Sequence, residues 1–339
     1  MLRLLALAIV GAVLLAGCGE GDPTVTLRGE TMGTSWTVKY HGAAVDPDEA
    51  QATIADTLEA VNAALSTYDD GSEISRLNAR AADAWVEVSP HFVTVARAAR
   101  RVFAVSGGAF DPSVGPLVDL WGFGPGAVPT SIPDEAAIDA ARETVGYDRL
   151  ELDVEGGRVK MPAAPYRLDF SAIAKGYGVD AVLQALEGLG IGAMMVEIGG
   201  EVRTAGRNAA GVPWQIAIEE PTPGRRAIRT VLGLESLALA TSGDYRNYFE
   251  KGGVRYAHTI DPATGRPIRH RLASASVVHD TAMLADAWAT ALMVAGPERG
   301  RALAQTAGLD SMLVVREGDG FVTRFTGDFE ALLVPPAGS

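Results

Sequence analysis

The stretch Ser311-Met312-Leu313-Val314-Val315-Arg316-Glu317-Gly318-Asp319-Gly320-Phe321-Val322-Thr323-Arg324-Phe325 decides the fold class. An apolar, β-branched run meets a turn signal at Glu317 to Gly320, and a second such run returns. That is an antiparallel hairpin closing the chain. Working backwards, Thr281 to Val294 reads as a strongly apolar helix, and Tyr248 to Ile260 as another hairpin, turning at Gly252-Gly253. Val231 to Leu239, Trp214 to Ile218 and Met194 to Ile198 each read as one strand. Gly176 to Leu189 is an amphipathic helix with Val179, Val182, Leu183 and Leu186 on one side. In the first half, Val25 to Tyr40 predicts a strand pair around Gly29–Gly33. Asp46-Pro47-Asp48 then opens a helix carrying the stripe Ile54, Leu58, Val61 and Leu65. His91 to Val105, stopped by Gly107-Gly108, and Asp134 to Val145 are further helices. Helices interspersed with antiparallel hairpins give an α+β fold, not a doubly wound parallel sheet. No low-complexity linker divides the chain, so its lobes are expected to pack intimately.

Composition narrows the class. The 339 residues are 47% hydrophobic and 21% charged, which is globular and excludes a disordered or fibrous chain. A formal charge of −13 argues against nucleic acid as a partner, because phosphate backbones need clustered cations. The single cysteine, Cys18, excludes intramolecular disulfides, zinc ribbons and CxxC redox chemistry. Arg3 and the apolar run Leu4 to Leu15 have the layout of a signal peptide, and the run is too short to span a membrane comfortably. Leu15-Ala16-Gly17-Cys18 resembles a bacterial lipobox. Residues 1–17 are thus expected to be a lipoprotein signal peptide, residues 18–24 a lipid-anchored tether, and residues 25–339 the folded domain. A lipid anchor at Cys18 holds the protein to a membrane, with the periplasmic side of a Gram-negative inner membrane as the expected location.

Five segments carry polar residues that a purely structural sequence does not need. Leu65 to Asn78 holds Ser66-Thr67-Tyr68-Asp69-Asp70-Gly71-Ser72-Glu73; its plain reading is a helix end, a turn and a newly capped helix. Gly107 to Leu117 pins Asp111 between Phe110 and Pro112. It is a rigid loop that either lets backbone approach a ligand or connects packed elements. Leu168 to Gly178 reads as an apolar strand running through small residues and Lys175 into a helix, the layout of a phosphate cradle without the Walker spacing. In Ala257 to Pro267, His258 leaves a strand with Asp261 three residues on, offering a general base or an anchored turn. Finally, Asp286 and Thr290 lie four apart on an apolar helix, so their oxygens share a face. They suit a hard cation such as Mg²⁺, or else an exposed Asp beside a Thr bonded back to a carbonyl.

Taken in order, these blocks resemble the ApbE family, the FAD:protein FMN transferases, from about Gly29 to Gly296. The resemblance rests on Glu30-Thr31-Met32-Gly33-Thr34, on Ser66-Thr67-Tyr68 with Ser72-Glu73-Ile74, on Phe110-Asp111-Pro112, and on Asp169-Phe170-Ser171-Ala172-Ile173-Ala174-Lys175-Gly176. Ser242-Gly243-Asp244-Tyr245-Arg246, His258-Thr259-Ile260-Asp261-Pro262, and Ala285-Asp286-Ala287 with Thr290 complete it. It implies an ApbE-like, T-fold-like pair of antiparallel-sheet lobes with helices. It also implies that FAD is split at its pyrophosphate, with FMN passing through a phosphoester to a threonine of a target protein and AMP leaving. The target class would be a respiratory flavoprotein subunit. Carried over residue by residue, Met32, Tyr68, Ala109, Phe110, Asp111, Asp169, Lys175 and Ile260 would line the FAD site. Asp286, Thr290 and the carbonyl of Ala172 would hold Mg²⁺. Lys175 would be a second cation for the phosphates, and His258 would take the acceptor proton or orient the group that does. Where many members have Gly-Gly-Asp, this chain has Gly199-Gly200-Glu201. Two other readings share the residues: an FAD pyrophosphatase releasing FMN and AMP, and a flavin-binding lipoprotein without catalysis.

Overall fold

The computed structural model describes residues 23–80, 83–125, 132–163, 165–222, 227–245 and 248–335. The leader and Cys18 lie outside the described residues, as does Arg246. The chain begins with a hairpin, β1 (Val25–Thr31) and β2 (Thr34–His41), followed by α1 (Pro47–Leu65) and α2 (Glu73–Asn78). Next come β3 (Trp85–Glu87), α3 (Pro90–Ser106), α4 (Gly115–Leu120), α5 (Glu135–Arg142), β4 (Glu151–Asp153) and β5 (Arg158–Lys160). The second half holds α6 (Ser171–Gly188), β6 (Ala193–Ile198), β7 (Glu201–Ala205), β8 (Trp214–Glu219), β9 (Ile228–Leu234) and β10 (Ala238–Gly243). It ends with β11 (Tyr248–Lys251), β12 (Val254–Ala257), β13 (Ile260–Asp261), β14 (Arg266–Pro267), β15 (Leu272–His279), α7 (Ala282–Ala307), β16 (Asp310–Glu317) and β17 (Gly320–Thr326).

Eight strands form one open antiparallel sheet in the order β1-β2-β6-β7-β10-β15-β16-β17, and the remaining strands make small sheets of two or three. The fold is therefore α+β, as the hairpin signals required. Helices cover one face in two halves. Val38 and Tyr40 of β2 and Met194, Val196 and Ile198 of β6 bury against Ile54 and Leu58 of α1 and Val179, Val182 and Leu186 of α6. Val277 of β15 and Leu313 and Val315 of β16 bury in the cluster that holds Trp288, Leu292 and Met293 of α7 and Phe92, Val95 and Val102 of α3. The two lobes meet where α6 packs on α7.

The other face explains why β16 reads as a continuous apolar run. Met312 and Val314 alternate with Leu313 and Val315 and point to the opposite side. There they join Val202, Leu239 and Val278 beneath the hairpin β8–β9. A two-stranded hairpin is marginal in water. This one is held by burying Trp214, Ile216, Ile218, Leu232 and Leu234 on the sheet.

Local signals fix the element ends. Met32 and Gly33, with φ of 50° and 69°, make a two-residue turn of the primed kind that matches strand twist. Asp46 accepts the amide of Asp48 at 2.9 Å with Pro47 at the first helical position, as the sequence predicts. Two expectations need correction. Val231 to Leu239 is not one strand: Ser236, at φ 55°, breaks it into β9 and β10. Thr281 to Val294 is helical as read: Gly296, at φ 79° and ψ −177°, leaves the helical conformation, and α7 continues beyond it as a second helical segment over 297–307. The apolar strand-to-cradle reading of Leu168 to Gly178 also fails, because α6 starts at Ser171 and takes Lys175, Gly176 and Gly178 into its first two turns. Asp169 precedes the N-cap Phe170, and its Oδ1 accepts the amide and hydroxyl of Ser171 at 2.8 and 2.5 Å, a turn that leads the chain into the first residue of α6.

His270 ties the α7 kink to the sheet. Its Nε2 donates to the Met293 carbonyl at 2.8 Å and its Nδ1 accepts the Leu272 amide at 3.3 Å, so both nitrogens are committed to the neutral ring. Burial pushes its pKa below the ordinary 6.5, and His279 behaves likewise. The unfolded chain takes up these protons first as pH falls, so the stability they hold above pH 6.5 is lost below it. Thermal melts from pH 7.5 to 5 should therefore show a shallower acid-side decline for His270→Gln than for the wild type. Parallel declines would exclude His270 as a contributor.

Candidate active site

The site is built where α6 crosses α7. Asp180 of α6 accepts the amides of Ala282 and Met283, both at 2.9 Å, and so caps the start of α7. One turn earlier on α6, the Gly176 amide donates to Asp286 Oδ2 at 3.1 Å. A Cβ on Gly176 would stand 2.2 Å from the Ala282 carbonyl oxygen, so glycine alone permits this crossing. Two stripes at helical spacing thus face each other: Ala172, Gly176, Asp180 on one helix and Ala282, Asp286, Thr290 on the other. Asp180 meets Ala282 and Gly176 meets Asp286, which leaves Ala172 as the next residue along, towards Thr290.

Asp286 is 3% exposed, so the exposed-face alternative for this residue is excluded. Its second neighbour is the Lys175 ammonium, 4.0 Å from Oδ1. Burial raises its pKa, opposed by Lys175 and by the Gly176 amide. Thr290 bonds Ser242 Oγ of β10 at 3.1 Å, which fixes its hydroxyl on the sheet side of α7. The same Lys175 ammonium lies 2.8 Å from Glu201 Oε2 at the start of β7. Glu201 is 4% exposed, and burial pushes its carboxyl up to about 7 against the pull of Lys175. Two buried carboxyls around one ammonium are in balance when one of them carries a proton or when a further cation binds beside them.

The donors fit a hard cation. Among the described residues no group of three or more His, Cys, Asp or Glu could hold a metal ion, so an all-protein cage is absent there. A buried carboxylate, a hydroxyl one turn on and the first-turn carbonyl of α6 are instead the oxygen set that Mg²⁺ accepts when waters and phosphates complete its octahedron.

The other expected site residues lie on the β1–β2 turn, the segment after α1, the loops before α4 and α6, and the β12–β13 segment. The Asp169 amide donates to the Pro112 carbonyl at 2.7 Å, and Val114 bridges Arg167, so the Gly107–Leu117 loop lies alongside the approach to α6. Ala109, Phe110 and Asp111 are buried; Asp111 accepts the Ser113 amide at 2.8 Å and pins the loop. What these residues can present to a ligand is mainly backbone. Ile260 is buried with Leu117, Trp121, Ile138 and Tyr256. Tyr68 is the opposite, 69% exposed. Desolvation of its hydroxyl, then the carboxylates of Asp169 and Asp119, raise its pKa, and its bare ring is a surface on which a flat heterocycle can stack. Met32 sits in the β1–β2 turn with positive φ, a conformation that costs a non-glycine residue about 1 kcal/mol, and its Cε lies near Gly178 of α6. His258 is half-buried between β12 and β13, edge-on to Phe123 at 6.4 Å between ring centres. Asp261 anchors the next turn by accepting the Ala263 amide and the Thr264 hydroxyl.

Sequence reasoning missed Asp180, and it noted Glu201 only as a departure from the family pattern. Asp180 was findable: it stands one turn after Gly176 on the helix, and a carboxylate four residues from a glycine marks a face in close contact. Glu201 had no such signal, because β7 is brought to Lys175 only by the sheet.

An open antiparallel sheet covered by helices, with a carboxylate–hydroxyl pair and a lysine at the helix crossing, defines an α+β protein with a buried polar site between two helices. The comparisons narrow that class. The ApbE family model matches residues 32–313, and the chain belongs to that family. It is 43% identical to the FAD:protein FMN transferase of Vibrio cholerae, covering 96% of this chain and 98% of that one. It is 41% identical to the FAD:protein FMN transferase of Haemophilus influenzae, covering 96% of each. The solved structure of the flavin transferase ApbE from Vibrio cholerae superposes with a TM-score of 0.85 at 41% identity, over 92% of this chain and all of that one.

Proposed function

We propose that this protein transfers FMN from FAD to a threonine hydroxyl of an acceptor protein. The threonine oxygen forms a bond to the FMN phosphorus, the bond to the bridging oxygen breaks, and AMP leaves. The observation that carries this reading is the buried Asp286, backed by the Gly176 amide and set one turn from Thr290 at the α6–α7 crossing. Flavin transferase relatives of nearly equal length support it.

Phosphoryl transfer is mostly positioning and neutralisation of charge. Asp286, Thr290 and the Ala172 carbonyl would hold Mg²⁺, which when bound polarises the pyrophosphate and stabilises the departing phosphate. Lys175 adds an ammonium with three donors beside that position, enough to reach a phosphate oxygen while paired with Glu201. Met32, the exposed Tyr68 ring, Asp169 and the backbone of Ala109 to Asp111, with Ile260 behind, orient the dinucleotide. His258 takes the proton from the acceptor hydroxyl, which lets the oxygen attack without building a free alkoxide. The acceptor is expected to be a membrane respiratory subunit bearing a short threonine motif.

The deciding experiment incubates the protein from Gly19 onward with FAD, Mg²⁺ and a tagged peptide carrying such a motif. Mass spectrometry should find an FMN phosphoester on threonine together with equimolar AMP. Free FMN and AMP without adduct would make the protein a pyrophosphatase. Intact bound FAD would make it a flavin-binding protein. His258→Ala should bind FAD normally and lose transfer; full transfer would remove His258 from that role.

The leader ending in Cys18 supports a lipid anchor on the periplasmic side of the inner membrane. No described helix is long and apolar enough to cross a membrane. Mass spectrometry of the mature protein should find Cys18 as a lipidated first residue, and an unmodified Cys18 would refute the anchor.

A further inference from the structure

Lys175 has two buried carboxylates within reach and sits unequally between them. Its ammonium is 2.8 Å from Glu201 Oε2 but 4.0 Å from Asp286 Oδ1. Both carboxylates are almost fully enclosed, at 4% and 3% exposure, where Coulomb attraction is weakly screened and the choice of partner matters. Glu201 reaches the ammonium from a fixed base. It opens β7 opposite Ile198, across a Gly199-Gly200 turn whose Gly200 amide is held by Glu197 Oε1 at 2.8 Å. Asp286 is fixed as well, by the Gly176 amide on its other oxygen. The position of the ammonium between two stationary carboxylates is therefore set by which of them attracts it more.

We propose that Glu201 is a positioning residue: it holds the Lys175 ammonium off Asp286 and so keeps an Asp286 oxygen open for a divalent cation. With glutamine at 201, Asp286 is the other carboxylate that the structure places against the ammonium. A cation would then have to displace an ion pair before it could bind. An aspartate at 201, one methylene shorter, is expected to draw the ammonium less far from Asp286. The inference rests on the reading of Asp286 as a metal ligand, and the test separates the two.

Mn²⁺, standing in for Mg²⁺, is titrated into the folded protein without nucleotide, and free Mn²⁺ is read by electron paramagnetic resonance. The wild type should bind with an affinity that Asp286→Ala abolishes; binding that survives Asp286→Ala overturns the ligand assignment itself. Given that dependence, Glu201→Gln should weaken Mn²⁺ binding about tenfold or more, as loss of an outer-shell partner does. Glu201→Asp should fall between Glu201→Gln and the wild type. Lys175→Met should bind at least as tightly as the wild type, and adding Glu201→Gln to it should change nothing further. Unchanged affinity in Glu201→Gln overturns the proposal. So does an equal loss in the Lys175→Met background, which would show Glu201 acting through its own charge. If Glu201→Gln does not fold, weaker binding by Lys175→Met alone has the same force.

Discussion

Asp286→Ala should abolish metal-dependent FMN transfer, lowering it by about a hundredfold to a thousandfold, the usual cost of deleting one major source of transition-state charge stabilisation. FAD binding should change by no more than about threefold, because on the proposed reading the flavin and adenosine ends would be held by residues away from the helix crossing. The melting temperature should stay within about 2 °C of wild type. The buried carboxylate contributes a desolvation cost to the fold as well as a hydrogen bond from Gly176, and these act in opposite directions. The triple outcome marks a residue kept for chemistry. A variant that retained the wild-type response to Mg²⁺ would sink the assignment. A variant that melted far lower would make Asp286 a structural residue instead.

Gly176→Ala should do the reverse and damage fold and function together. The added Cβ would meet the Ala282 carbonyl oxygen at 2.2 Å, its carbon at 2.6 Å and Asp286 Cβ at 2.9 Å. None of these is the free end of a flexible side chain. The helices must separate, which stretches the Gly176–Asp286 bond and the Asp180 cap in one movement. Overpacking of this kind costs about 3 kcal/mol. In a chain of this size that corresponds to roughly 4 °C in melting temperature. Transfer should fall with it even at temperatures where the protein remains folded. Calorimetry and the transfer assay on the same sample decide the matter: an unshifted melt with full activity would mean that the two helices are not held at this contact.

Much of the architecture was legible because its signals are local. The Gly252-Gly253 turn, the Asp46-Pro47 helix start and the closing hairpin each depend on residues within a few positions of one another, and each stands where the sequence places it. The breaks divide. Gly296-Pro297 announces the end of the first part of α7, where the structure leaves the helical conformation, whereas Ser236 interrupts the run from Val231 to Leu239 at a positive φ that its side chain does not require. The site was legible to the extent that one helix carries it. That Asp286 and Thr290 share a face of α7 follows from a four-residue spacing alone. Lys175 reads locally as a residue before a helix, whereas α6 begins at Ser171 and includes it. Its pairing with Glu201 was beyond any local reading. It depends on β6–β7 being laid beside α6 by the sheet, a consequence of tertiary packing and not of neighbouring residues.

The bond from Gly176 to Asp286 joins residues 110 positions apart, and this has a bearing on biosynthesis. On a ribosome the segment with Lys175 is made well before the one with Asp286 and Thr290. A nascent or prematurely ended chain that stops short of α7 has Lys175 but neither Asp286 nor Thr290. On the proposed reading such a fragment has no place for the divalent cation and transfers nothing to a bystander protein. Competence would thus arrive only once α7 has been made, and the helix crossing would withhold chemistry until then.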